Sequence, residues 1–167
     1  VINITGITLT SGNNNVTLIE NLSQGPHNWS VACIDDLNNS DVSVTKSFIV
    51  NAPDLTLNNT HITFNNTNPD ENDTILINAT IYNIGGVDSG DFNVTFYDND
   101  PGQGGSQING KQSYAALSTN TSITLNVSWN ITPGFYNIFA VIEYGGVELN
   151  YTNNNASNNL SILSSTI

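Results

Sequence analysis

The chain lacks most of what enzymes, nucleic-acid binders and membrane proteins are built from. Its 167 residues hold no methionine, one cysteine, two histidines and two basic residues, Lys46 and Lys111, against fourteen carboxylates, for a formal net charge of −12. The single cysteine, Cys33, excludes an internal disulfide framework and any site made of several thiolates, and its default role is that of a small apolar side chain. So few cations leave a negative field everywhere, one that repels phosphate backbones and anionic lipid, so nucleic acid is excluded as a partner. No apolar run is long enough to cross a bilayer and no signal peptide is present, so direct membrane insertion is not expected. Without a Met the first residue is no translation start, and the chain reads as a processed product or a piece of something longer. No stretch of eleven residues carries an apolar stripe at helical spacing. Catalytic groups are missing too. His27 and His61 sit in strand-like contexts without a nucleophile or metal-ligand spacing, no G-x-S-x-G elbow occurs, and the glycine-rich run 102–105 lacks the Lys and following helix of a phosphate loop. The chain is not expected to be an enzyme.

What is abundant is asparagine. There are 30 Asn beside 34 Ser and Thr. Scattered independently, these would form roughly six N-x-S/T triplets, since Ser or Thr fills about one position in five. Sixteen are present, none with Pro in the middle, beginning at Asn3, Asn15, Asn21, Asn28, Asn38, Asn58, Asn65, Asn72, Asn78, Asn93, Asn120, Asn126, Asn130, Asn150, Asn155 and Asn159. Such triplets accept N-linked sugar in exported proteins, so all sixteen are candidate glycosylation sites, covalent N-glycans are the expected modification, and the expected location is extracellular or on the cell surface. Asn, Ser and Thr are frequent on β surfaces in general, but the excess here is nearly threefold.

At 38% hydrophobic the chain has enough apolar mass for a core, and the apolar positions alternate with period two between Asn, Asp, Gly and Pro clusters. The fold class is all-β. Expected strands are 1–10, 14–19, 27–34, 42–50, 54–64, 74–83, 91–98, 111–117, 121–129, 134–144 and 157–163. In 74–83 the residues Ile75, Ile77, Ala79 and Ile81 point one way, and Asn78 with Thr80 the other. The same phasing sets Asn15/Thr17, Asn28/Ser30, Asn93/Thr95, Asn126/Ser128 and Asn159/Ser161 outward, with Val16, Trp29, Val94, Val127 and Leu160 toward the core. Sugar on those faces also protects strands from edge pairing.

Two strand groups break this pattern. In 134–144, Tyr136, Ile138, Ala140 and Ile142 line one face while Phe135, Phe139 and Val141 line the other, so both faces should be covered, the outer by a loop, the first unit or a subunit contact. The end strands, with Ile2 and Ile4 at one terminus and Leu160 and Ile162 at the other, are apolar-alternating and are candidates for strand addition to a neighbour. Pro53 cannot donate to a ladder and marks a boundary: residues 1–51 form a first unit, 52–163 a second of immunoglobulin size, and 164–167 a tail. The first unit, with four strands and little core, is marginal alone.

Pro53-Asp54-Leu55, Asn83-Ile84-Gly85-Gly86, the run from Phe96 to Pro101 with Gly104-Gly105, then Trp129, Gly134, Tyr136 and the closing Asn158-Asn159 together make the second unit resemble CARDB, the cell-adhesion-related immunoglobulin-like domain of bacterial and archaeal surface proteins. Asn153-Asn154-Asn155 stands where the family commonly has acidic residues, which weakens any metal site carried over from there. The first unit, through Asn21 to Gly25, His27 to Val31, Cys33 to Asp36 and Ser47 to Val50, is similar to the second half of an immunoglobulin-like repeat of archaeal surface proteins. That resemblance implies a tandem of sandwiches with the first incomplete, a partner for Cys33 outside this segment, and a half-core completed by upstream sequence or a neighbouring subunit. Dense acceptor usage favours an archaeal over a bacterial host.

One ligand chemistry remains. Asp98 and Asp100 lie beside Gly102, and Asp35 and Asp36 cluster with Asn38 and Asp41; such oxygens suit calcium, the one candidate ion, though neither group has EF-hand spacing and Asx-rich loops also form turns that cap their own backbone. No cofactor is required. The expected function is a structural subunit or repeat of an N-glycosylated archaeal filament or cell-surface protein. It assembles with itself, as homopolymer or tandem repeats, through strand addition and apolar junctions. The alternative is an adhesion or carbohydrate-binding accessory module, against which Trp29 and Trp129 on expected core faces count.

Overall fold

The computed structural model describes Leu22 and residues 25–162. Expected strands 1–10 and 14–19, with Ile2, Ile4, Asn3, Asn15 and Asn21, and the tail 164–167 lie outside the described residues.

From residue 52 onward the alternating pattern becomes two facing antiparallel sheets. In the first, β7 (Thr74–Asn83) is central, with β10 (Ser122–Asn130) on one side and β5 (Leu55–Thr56) and β6 (Ile62–Phe64) on the other. The second runs β12 (Asn155–Ile162), β11 (Gly134–Tyr144), β8 (Phe92–Tyr97), β9 (Gln107–Tyr114). Each strand turns one parity inward, and the core follows: Ile75, Ile77, Ala79 and Ile81 of β7 meet Phe92, Val94 and Phe96 of β8, Ile138, Ala140 and Ile142 of β11, and Val127 of β10. The bounds of β7 and β11 match the expectation residue for residue.

Three expectations change. The single strand 54–64 is broken, because Asn58 caps a 3-10 turn (Asn59–His61): its Oδ1 accepts the Thr60 N–H while its own N–H donates to His61 Nδ1. Strand β9 begins at Gln107 rather than 111, and a register shift between Val94 and Phe96 bends the β8–β9 pair. The last strand is the edge of its own sheet, and its apolar residues face inward. Pairing with β11 from Gly134↔Ile162 to Val141↔Asn155 makes β12 part of its own sheet, and Leu160 and Ile162, expected at an interface, are core residues at 4% and 3% exposure.

The approach to the sandwich is fixed by backbone bonds: Ile84 N–H donates to Asp54 O, Gly86 N–H to Ala52 O, and Leu149 N–H to Pro53 O. Gly85 lies directly beneath this segment, where a Cβ would fall 2.4 Å from Asp54 N and 2.5 Å from Ala52 O. Gly85→Ala is therefore expected to cost about 1–3 kcal/mol by overpacking, read as a lowered midpoint in thermal unfolding.

Residues 25–50 form a separate element. Strands β1 (Gly25–Trp29) and β4 (Lys46–Val50) pair, as do β2 (Ala32–Ile34) and β3 (Ser40–Val42), giving one long hairpin. Trp29 faces Lys46 and Val31 bonds Ser43, so the returning arm carries an extra residue at 43–45. No strand of the sandwich pairs with this hairpin. Trp29, expected in a core, is 52% exposed, and Val31, Ile34, Val42, Val44, Phe48 and Ile49 are exposed as well, because among the described residues no second layer lies over the hairpin.

Candidate functional site

The thirteen described acceptor triplets sort by what the backbone asks of their Asn. Asn38, Asn72 and Asn120 stand in the left-handed region (φ 63, 68 and 57°), which Asn tolerates better than most residues. Asn58, Asn65 and Asn150 hold backbone: Asn58 Oδ1 accepts Thr60 N–H, Asn65 Oδ1 accepts Leu76 N–H and Asn150 Oδ1 accepts Thr152 N–H. These six have a local structural reason to be Asn, although none of the contacts uses the amide nitrogen that would carry sugar.

On the strand faces, Asn28/Ser30, Asn126/Ser128 and Asn159/Ser161 are exposed, with Val127 and Leu160 buried between the latter two pairs. Asn130 and Asn155 are also exposed. Asn78 is half-buried and lies directly across from Asn126. The Asn93 triplet departs from the expected outward pair: Thr95 is fully buried, its hydroxyl donating to Glu143 at 2.9 Å, because Glu143 and Lys111 close over it. The Lys111 ammonium holds the Glu143 carboxyl below its ordinary value. With both side chains substantially exposed, Lys111→Met is expected to leave the midpoint of chemical unfolding nearly unchanged.

The candidate calcium loops are occupied with their own backbone. Asp98 Oδ1 accepts Ser106 N–H at 2.6 Å and Asp100 Oδ1 accepts Gly102 N–H at 2.8 Å. Asp35 accepts the N–H groups of Leu37 and Asn39 and the Asn39 side-chain amide, and this last bond chiefly holds its carboxyl below the ordinary range. Asp36 is exposed beside it. Among the described residues no three His, Cys, Asp or Glu side chains converge as metal ligands.

The outer face of β11 is open rather than covered. Phe139 and Val141 are half-buried by flanking strands, Phe139 across from Tyr97 and Val141 across from Thr95, but Phe135 is 86% exposed. Phe135 pairs with Ser161, and Asn137 with Asn159. These residues, with Asn99, line a shallow groove of about 490 Å³.

One polar cluster was not among the sequence candidates. Glu148, 6% exposed, accepts the Leu55 N–H and, at 2.7 Å, the Asn154 amide; Asn153 donates to Asp54 Oδ1 at 2.9 Å. Asn153 O and Asn154 O accept the N–H groups of Leu57 and Ile142, so this clasp joins the first strand of the sandwich to the β11–β12 connection. Burial pushes the Glu148 carboxyl up. The available signal was a lone Glu between Val147 and Leu149 after two glycines, followed by an Asn pair. The Asn pair that acts here is Asn153-Asn154, not Asn158-Asn159, of which Asn158 donates to Ile62 O.

Two antiparallel sheets of this order, closed by a buried polar clasp, define an immunoglobulin-like β-sandwich module. Residues 52–158 match the CARDB family model, and the chain belongs to the CARDB family. The CARDB domain of a Pyrococcus furiosus protein, crystallised in complex with di-metal ions, matches with a TM-score of 0.55 and 24% identity over 66% of this chain and 89% of its own. A domain from Methanosarcina acetivorans, described as part of a cell surface protein, matches with a TM-score of 0.53 and 23% identity over 66% and 92%. A Geobacter metallireducens structure matches with a TM-score of 0.53 and 22% identity over 64% and 95%. No curated protein matches the chain. No helix among the described residues is long and apolar enough to cross a membrane.

Proposed function

We propose that this chain is a structural, non-catalytic module of an extracellular, N-glycosylated surface protein or filament, in which the 25–50 hairpin is completed by strands of a neighbouring unit. The hairpin carries the reading. A two-stranded ribbon is marginal in water, and this one exposes Trp29, Phe48 and six further large apolar side chains, Leu37 at its turn included. Their burial at roughly 1.5–3 kcal/mol per side chain is the force available for a junction. Edge pairing supplies main-chain hydrogen bonds and the exposed apolar side chains supply the buried contacts, as in strand addition generally. The neighbour is a repeat of the same polypeptide or a second copy. The likeness to a domain described as part of a cell surface protein and the acceptor excess support the location, with sugar on the exposed Asn126 and Asn159 faces.

The second reading, a carbohydrate-binding accessory module, draws on the exposure of Trp29 with the stacked His27–Phe48 pair beside it. Sedimentation velocity across a concentration series, with tryptophan emission followed in parallel, separates the two. The structural reading expects larger species to grow in with concentration together with a blue shift. Monomers at every concentration, with emission that responds to added oligosaccharide, would replace it with the second.

A further inference from the structure

The sequence places an acceptor triplet on β12, and the fold brings it to the most exposed aromatic ring among the described residues. Asn159, Leu160 and Ser161 all line the groove whose other wall carries Phe135 and Asn137. Pairing sets Asn137 directly across from Asn159 and Phe135 directly across from Ser161, so Asn159 and Phe135 are diagonal neighbours on one outward face, within reach of a large side chain. A Phe ring left 86% exposed on a central strand invites a partner.

We infer that the groove is the seat of the proximal sugar linked to Asn159, whose C–H face packs on the Phe135 ring while Asn137 and Asn99 offer amides to its polar groups. This rests on the glycosylation reading above and names the site and the role within it. Three arguments favour this occupant over a second protein copy. The attachment residue Asn159 itself lines the groove, so the sugar is present at high effective concentration without the cost of association. The groove is shallow and lined by seven residues, well short of the roughly 20–30 a side of a stable protein interface. Its lining mixes the aromatic residues Phe135 and Tyr136 with the amides Asn99, Asn137 and Asn159, the combination that suits a ring with an apolar face and polar edges.

The test combines glycopeptide mass spectrometry with thermal unfolding of the full chain from an N-glycosylating host, as wild type, Asn159→Gln, Phe135→Ser and the double variant, each compared with the same sequence made without glycosylation. The expected result is occupied Asn159, a midpoint lowered by about 4 °C in either single variant of the glycosylated protein, and no further loss in the double variant. In unglycosylated protein Phe135→Ser is expected to leave the midpoint unchanged or raise it. Sugar proton resonances of the Asn159 glycan should also move upfield under the Phe135 ring current. Occupied Asn159 with additive variants overturns the inference while the glycosylation reading stands. Sugar at other triplets but not Asn159 does the same, and no sugar anywhere overturns both. A concentration-dependent dimer abolished by Phe135→Ser in unglycosylated protein assigns the groove to a second copy and overturns it.

Discussion

Glu148→Ala is expected to destabilise the CARDB unit by about 2–5 kcal/mol, because it strands two buried donors, the Leu55 N–H and the Asn154 amide. The Asn154 Oδ1 already lacks a protein partner, so the variant leaves that amide unsatisfied at both ends. At roughly 4 °C per kcal/mol for a domain of this size, the thermal midpoint falls by about 8–20 °C. Glu148→Gln is expected to be milder: the new side chain still accepts from Leu55, and the Asn154 amide, by turning over, offers its oxygen to the Gln nitrogen. The pH dependence has a definite sign. Burial raises the folded-state pKa above the ordinary value of 4.5, so the folded protein binds this proton more tightly than the unfolded chain. Glu148's contribution is greatest below the ordinary value and is lost as pH rises through the raised one. Glu143 has the opposite sign, since Lys111 lowers its pKa and its contribution is lost as pH falls. Comparing wild type with Glu148→Gln isolates the first effect: the midpoint difference should shift in favour of wild type on going from neutral to acid pH.

The second large effect concerns assembly. Substituting Trp29 and Phe48 with Ser together is expected to abolish self-association while leaving the unfolding of residues 52–162 unchanged. The two side chains lie on the hairpin, whose strands pair with nothing in the sandwich. Each removes apolar area equivalent to about 1.5–3 kcal/mol of junction energy, so the pair weakens association by a factor on the order of a hundred or more. Sedimentation and scanning calorimetry on the same sample check both halves. Loss of the sandwich transition would place Trp29 and Phe48 in its support and not in a junction.

The period-two alternation of β7 and β11 made their bounds legible to the residue, because each has one face that must be apolar and no competing local bond. Where a side chain competes with the ladder, alternation misleads: Asn58 reaches Thr60 and turns an expected strand into β5, a 3-10 turn and β6. Outward phasing held for Asn126 and Asn159 but not for Thr95, since Glu143 and Lys111 cover it, and Lys111 comes from β9, whose alignment with β8 includes a register shift. The terminal strand read as free because its apolar residues cannot say which sheet buries them; register with β11 decides that. The clasp was the least visible feature. Glu148 and Asn154 are six residues apart and bond each other, but Glu148 acts on Leu55, more than ninety positions away, and no local pattern encodes such a closure.

The acceptor triplets look different once placed. Six of the described Asn residues answer to turn or cap geometry, so the case for sugar is strongest on the strand faces, where Asn126 and Asn159 have no such duty among the backbone contacts above. Those same faces belong to the two outer surfaces of the sandwich, which leaves the hairpin, with its exposed apolar side chains, as the element suited to contact between units.

Electron cryomicroscopy of the native assembled material tests that division most directly. The account predicts additional strands paired to the 25–50 hairpin, supplied by a neighbouring unit and burying Trp29 and Phe48, with sugar density rising from the strand faces at Asn126 and Asn159. Isolated particles, each with the hairpin bare or closed by its own residues 1–24 and with no sugar density, would contradict it.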